Sequence, residues 1–296
     1  MLQNLEMPRD WWQYPEWLAA AHNRVRLLKV GGMLIYRAVT ASTNDDARAL
    51  ALQGAPDGLV VLADEQTHGR GRLGRSWVAP AGTSLLLSVL YRCSIPLGHS
   101  SQLGMLTTLS ALEGIESLFG IEAELKWPND ILLQSRKAGG ILSELESAGE
   151  RLRWAVVGLG LNVNSDFSGH PELADTAISL KDAVGSQVER GELLVAFLRA
   201  LSRRYARFLA GEAPVAEWQS RLGTLGRQVV AEVGEETLSG LAEFATPEGT
   251  LFLRLEDGSR RELFAGDVRV RSQEPGALAV TPKGHDARSQ EPGARS

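Results

Sequence analysis

Between two apolar runs, 59–63 and 84–91, the chain carries Gly69-Arg70-Gly71-Arg72-Leu73-Gly74-Arg75-Ser76-Trp77, with no acidic residue from 68 to 92. Both runs read as buried strands. The order is therefore strand, basic glycine loop, strand. Glycine lets backbone N–H groups approach an anion closely. Arginine supplies planar forks that match phosphate and carboxylate, and tryptophan offers a flat face for a base. The loop also fits G-x-G-x-x-G. That dinucleotide fingerprint needs a strand running straight into the glycines, a helix opening from them and an acid about 20 residues on. Here residues 64–68 intervene, a strand follows and no acid stands near 92. A nicotinamide-dependent oxidoreductase is excluded on that order. An idle basic turn is disfavoured, because three glycines are costly in backbone entropy.

The rest of the chain narrows the ligand. Net charge is −5 over 296 residues, so the basic loop is a local exception. This suits a small anionic ligand better than nucleic acid. The only cysteine is Cys93, which rules out an intrachain disulfide and fits a reducing cytoplasm. The longest apolar runs stop short of a membrane span, and the first residues lack a signal-peptide pattern. The five histidines show no zinc spacing, and no metal-ligand cluster is expected. No G-x-S-x-G supports a serine hydrolase.

The periodicities describe an α+β protein. Strands are expected at 33–36, 59–63, 84–91, 122–127, 140–145 and 152–163. A helix opens at Ser42-Thr43 and ends before Gly54, with a hydroxyl cap followed three residues on by an acid. Leucines from 103 to 118 and apolar residues from 194 to 208 mark two more helices. From about 226, short strands at 228–232, 240–244, 250–255 and 261–264 alternate with turns, the pattern of a small β-barrel. The expected organisation is a Trp-rich arm over 1–25, packed on the main domain or a second subunit, a catalytic domain over 26–224 and the barrel over 225–271. The tail over 272–296 repeats one seven-residue motif, and its polar Pro/Gly-rich composition predicts disorder.

Four further segments look purposeful: Ser42-Thr43-Asn44, Lys126-Trp127-Pro128-Asn129-Asp130, Lys137-Ala138-Gly139-Gly140-Ile141-Leu142 and Gly158-Leu159-Gly160-Leu161-Asn162-Val163-Asn164. Glycines in a strand mark a close backbone approach. Each segment alone is weak. With Glu65-Gln66-Thr67 running into the arginine–glycine loop, they occur in an order that resembles the biotin–protein ligases, over roughly residues 30 to 271. The resemblance is to the monofunctional form, since only about 33 residues precede the first core strand and no winged helix is expected.

The resemblance implies a mixed-sheet catalytic domain of the biotin/lipoate ligase (class II synthetase-like) fold, followed by an SH3-like barrel. It implies that biotin and ATP are substrates, with Mg²⁺. Biotin's carboxylate attacks the α-phosphate, and the lysine of a biotin carboxyl carrier domain then takes the biotinyl group. Two anions meet in the first step. At about 4 Å and an effective dielectric near 20 their repulsion is about 4 kcal/mol per charge pair, so fixed cations are required. By resemblance, Ser42, Thr43, Asn44, Gln66, Arg70, Gly71, Arg72 and Lys137 line the biotin pocket. Arg75, Trp77, Asn129 and Asn162 bind the nucleotide, with Trp77 over the adenine. Lys137, Arg72 and Asp130 carry the chemistry. A homodimer is left open, and neither DNA nor membrane is expected as a partner. A lipoate–protein ligase is the nearest rival, and a biotin-responsive repressor a further one. The complete arginine–glycine loop favours biotin.

Overall fold

A seven-stranded mixed sheet carries most of the chain, in a computed structural model that describes residues 14–264 and 266–270. Its strands are β1 (Leu34–Thr40), β2 (Val60–Gln66), β3 (Ser84–Tyr91), β4 (Glu124–Lys126), β5 (Asp130–Leu133), β6 (Arg136–Ala148) and β7 (Arg151–Asn162), in the order β1-β2-β3-β7-β6-β5-β4. Only β1 and β2 run parallel. β3 is buried along its whole length, which is why it reads as a continuous apolar run rather than an alternating one.

Helices cover both faces. α1 (Glu16–Val25), α3 (Ser101–Phe119) and α6 (Arg190–Leu209) pack on one side. α2 (Thr43–Leu52) closes a smaller cluster with Ile35, Val61, Leu90, Trp154 and Val156 on the other. The shorter helices are α4 (Pro171–Ala174), α5 (Leu180–Val184) and α7 (Val215–Ser220). α3 and α6 cross closely, and a Cβ on Gly114 of α3 would lie 3.2 Å from the Phe197 backbone nitrogen. A second sheet follows, antiparallel, from β8 (Gln228–Val233), β9 (Glu236–Ala245), β10 (Leu251–Leu255), β11 (Arg260–Leu263) and β12 (Asp267–Val270), in the order β11-β10-β9-β8-β12.

The structure differs from the sequence reading in three places. The aromatic arm is helical over Glu16–Val25. Trp17 lies 4.3 Å from the Arg190 guanidinium, and Arg190 in turn holds Asp64 of β2 at 2.7 Å. Asp130, read as part of a turn, opens strand β5. Lys137, read as lying ahead of a strand, is the second residue of β6. Both differences have one cause: β5 is only four residues long and β6 opens on two basic residues, so cross-strand pairing rather than composition defines them. Trp11, Trp12 and the repeated tail lie outside the described residues.

Phe197 is fully buried where α6 meets α3. Phe197→Ala is expected to lower stability by about 3–5 kcal/mol, measured by chemical denaturation. A loss below about 1 kcal/mol would mean that this crossing contributes little.

Candidate functional site

The sheet, the arginine loop and the second sheet enclose one cavity of ≈ 270 Å³. Every residue expected to bind biotin or nucleotide or to carry the chemistry lies on its wall. Ser42, Thr43 and Asn44 come from the start of α2, and Gln66 from the end of β2. Arg70, Gly71, Arg72, Arg75 and Trp77 come from the loop. Asn129 comes from the β4–β5 turn, Asp130 from the start of β5, Lys137 from β6 and Asn162 from β7.

One end of the cavity is neutral and polar. Ser42 is the N-cap of α2, but its side chain does not cap the helix. Gln66 Oε1 does so instead, accepting from the Thr43 backbone N–H at 2.7 Å and from Thr43 Oγ1 at 3.0 Å. This leaves the Ser42 hydroxyl without a hydrogen-bond partner among the described residues, although the residue is only 4% exposed. The single hydrogen of Thr43 goes to Gln66, so Thr43 meets a ligand only as an acceptor. Asn44 is anchored at both ends of its amide. Ser88 Oγ donates to its Oδ1 at 2.6 Å, while its Nδ2 donates to the Leu142 carbonyl and to Glu144. Gly158 is required beside it, because a Cβ there would lie 2.3 Å from Asn44 Oδ1.

The loop and Lys137 bring the positive charge, and the three arginines divide in their partners. Arg70 forks onto Asp45 at 2.7 and 2.9 Å and reaches Glu144 at 3.0 Å. Those hydrogen bonds raise its pKa and hold Asp45 below the usual carboxylate range. Arg75 pairs with Asp267 of β12 at 3.0 Å. Arg72 makes no ion pair among the described residues. Burial pulls its pKa down, with the charge of Asp130 acting the other way. Lys137 Nζ sits 2.6 Å from Asp130 Oδ1 and 5.7 Å from the centre of the Trp77 ring. Trp77 lies flat on β7, where a Cβ on Gly160 would come within 2.7 Å of the indole. Its Nε1–H is buried without a partner.

Two side-chain amides expected at the nucleotide are tied down by one end. Asn129 Nδ2 donates to the Ile141 carbonyl at 2.6 Å. Asn162 Nδ2 donates to the Ile178 carbonyl at 3.3 Å and to the Lys137 carbonyl at 3.4 Å. Each keeps its oxygen as an acceptor for a ligand. Trp127 anchors the turn that carries Asn129 and Asp130. Its backbone N–H meets Thr224 Oγ1 at 3.0 Å, and its indole N–H meets the Gly249 carbonyl of the second sheet at 2.8 Å.

Sequence reasoning passed over Asp45, Ser88, Glu144 and Asp267. Asp45 read as part of a helix-start signal, and Asp267 only as part of the barrel. Ser88 and Glu144 stand in strands whose apolar neighbours dominate the pattern. Strand register alone gathers them beside the loop.

With this geometry established, comparison with known proteins is specific. The sequence profile of the Biotin/lipoate A/B protein ligase family matches residues 36–162. The bifunctional ligase/repressor BirA of Bacillus subtilis (strain 168) is 35% identical over 244 residues, covering 81% of this chain and 75% of that protein. The biotin--[acetyl-CoA-carboxylase] ligase of Mycobacterium tuberculosis (strain ATCC 25618 / H37Rv) is 35% identical over 239 residues, covering 78% and 86%. Among solved structures, the biotin protein ligase from Aquifex aeolicus in complex with biotin and ATP aligns with a TM-score of 0.66 at 29% identity, covering 81% of this chain and 98% of that one.

The link between loop and second sheet has a pH signature. Burial pushes the Asp267 carboxyl up, but Arg75, Lys126 and Arg269 outweigh it and hold the pKa below the usual range. A carboxyl that ionises more readily in the folded protein stabilises it above the unfolded value of about 3.9. That stabilisation is lost as pH falls through the lower folded value. Asp267→Asn is therefore expected to melt below the parent protein at pH 7, and the two melting curves to converge below about pH 3.9. A gap that stays constant between neutral and acid pH would contradict the pairing.

Proposed function

This chain belongs to the biotin/lipoate A/B protein ligase family, and we propose that it is a biotin–protein ligase. It joins biotin to ATP as biotinyl-adenylate and passes the biotinyl group to a lysine of a biotin carboxyl carrier domain. The observation that carries this reading is the division of the cavity. A neutral hydrogen-bonding end made by Ser42, Thr43 and Gln66 faces a cationic end where Arg72 and Lys137 stand beside Asp130. A cyclic urea with one carbonyl and two N–H groups suits the first end, and a carboxylate meeting a phosphate suits the second. The relatives whose names and ligands include biotin and ATP support the same reading.

Ser42 donates to the ureido carbonyl and Thr43 accepts from a ureido N–H, with Gln66 fixing Thr43. The carboxylate of biotin attacks the α-phosphate. A new C–O–P bond forms, the bond to the β-phosphate breaks, and pyrophosphate leaves. Lys137 and Arg72 stabilise the charge that builds between the two anions. Asn162 offers its oxygen to an exocyclic amine of the base. In the second step a neutral lysine of the carrier attacks the acyl carbon and AMP leaves, with Asp130 placed to take up the proton.

Mg²⁺ fits as a companion of ATP rather than a resident ion. Among the described residues no group of three or more His, Cys, Asp or Glu could hold a metal. A phosphate-bound Mg²⁺ needs only one or two carboxylates, and Asp130 with Asn129 supplies such a set. Such an ion neutralises phosphate charge.

Biotin-dependent exchange of pyrophosphate into ATP tests the assignment. Exchange that ignores added biotin, or that responds to lipoate instead, would refute it. Lys137→Ala is expected to lower kcat of exchange by at least about a hundredfold, with a smaller change in the biotin Kd, because its charge acts where the two anions meet. Gly158→Ala is expected to displace Asn44 and raise KM for biotin about tenfold or more, with KM for ATP changed less. If both rise together, the two ends of the cavity are not separate binding sites.

A further inference from the structure

We propose that Asp45 and Glu144 are positioning residues that latch the arginine loop over the site through Arg70. The inference rests on the ligase reading above. The loop is a small hairpin with its own hydrogen bonds: Gly71 N–H to the Arg75 carbonyl at 2.7 Å and Trp77 N–H to the Gly69 carbonyl at 2.9 Å. At its tip, Leu73 adopts left-handed backbone (φ 55) and is exposed. The hairpin therefore moves as a unit, and whatever pins its base aims its tip, where Arg72 stands.

Arg70 is such a pin. Its fork meets Asp45 in the first turn of α2 and Glu144 on β6. Asp45 also meets Arg48 at 3.5 Å, so two cations face two carboxylates in this cluster and Arg70, already neutralised, offers an incoming anion no net attraction. To serve as an anion ligand it would have to abandon both carboxylates. Arg72 has no such partner among the described residues. The cluster also adjoins the neutral end of the cavity. Glu144 accepts from Asn44 at 3.3 Å, and Asn44 accepts from the buried Ser88. The residues that bind the neutral end of the ligand and the loop that covers its charged end share one network. A closed loop keeps water and stray amines from a reactive acyl-adenylate. Opening it requires Arg70 to leave its carboxylates, so the latch sets how long the intermediate is retained. These side chains are partly exposed, which makes the latch sensitive to salt.

The test forms biotinyl-adenylate on the full-length protein from labelled biotin and ATP, removes free ligand by rapid desalting and follows release. Asp45→Asn is expected to speed release on the order of fivefold, while kcat of biotin-dependent pyrophosphate exchange stays within about twofold. Glu144→Gln is expected to act in the same direction, and Asp45→Glu to restore retention. In an Arg70→Ala background, Asp45→Asn is expected to add nothing, because both substitutions break the same contact. Raising NaCl is expected to speed release from the parent protein more than from the Arg70→Ala variant, which keeps only the Arg75–Asp267 pair. Release from Asp45→Asn and Glu144→Gln at the parent rate would overturn the proposal, as would an undiminished Asp45→Asn effect in the Arg70→Ala background. Parent protein with no biotin-dependent exchange would instead overturn the ligase reading, which separates the two failures.

Discussion

Two anions must come together in this cavity, and the protein has to hold positive charge there without neutralising it on its own carboxylates. The loop contains three arginines, yet two of them are already paired: Arg70 with Asp45 and Glu144, and Arg75 with Asp267. Only Arg72 is left over among the described residues, with Lys137 held against Asp130. The paired arginines fix the loop at its two shoulders, and the unpaired one occupies the tip between them. Positive charge that is fixed beforehand stabilises a developing anion without reorganising during the reaction. The ion pairs that seem to waste two arginines are what hold the third in place.

The frame supplies the remaining constraints. β7 runs beside β3 and β6, and its glycines at 158 and 160 let Asn44 and Trp77 lie against the backbone. The indole of Trp77 then forms the floor below Lys137. The sequence reading set this ring over the adenine. It packs on β7 at Gly160, with Lys137 Nζ 5.7 Å from the ring centre. The second sheet takes part as well. Its Gly249 carbonyl holds Trp127, and its Asp267 holds Arg75, so it supports both the turn and the loop that carry charged site residues.

Much of the fold was legible because long apolar stripes are robust. The helices over Ser101–Phe119 and Arg190–Leu209 and the buried strand Ser84–Tyr91 follow from periodicity alone. Strand β4 lies within the expected strand at 122–127, whereas the four-residue β5 and the start of β6 do not follow from composition, since cross-strand pairing defines them. Helix α1 was hidden by its aromatic residues, which draw attention to packing and away from the 3.6-residue period. At the site, residue types with distinctive chemistry were visible: arginine, glycine and the Ser42-Thr43-Asn44 run. Their partners were not. Asp45, Ser88 and Glu144 are ordinary in sequence; strand register brings Ser88 and Glu144 to the site, and the first turn of α2 brings Asp45. The division of labour among the arginines depends entirely on those partners, so no inspection of the loop itself separates Arg72 from Arg70.

That division is open to direct observation in a structure of the protein bound to a non-hydrolysable biotinyl-adenylate analogue. The account predicts that Arg72 and Lys137 contact the linker that replaces the mixed anhydride, while Arg70 remains within hydrogen-bond distance of Asp45 and Glu144. A structure in which Arg70 leaves both carboxylates to contact the linker, with Arg72 turned to solvent, would contradict it.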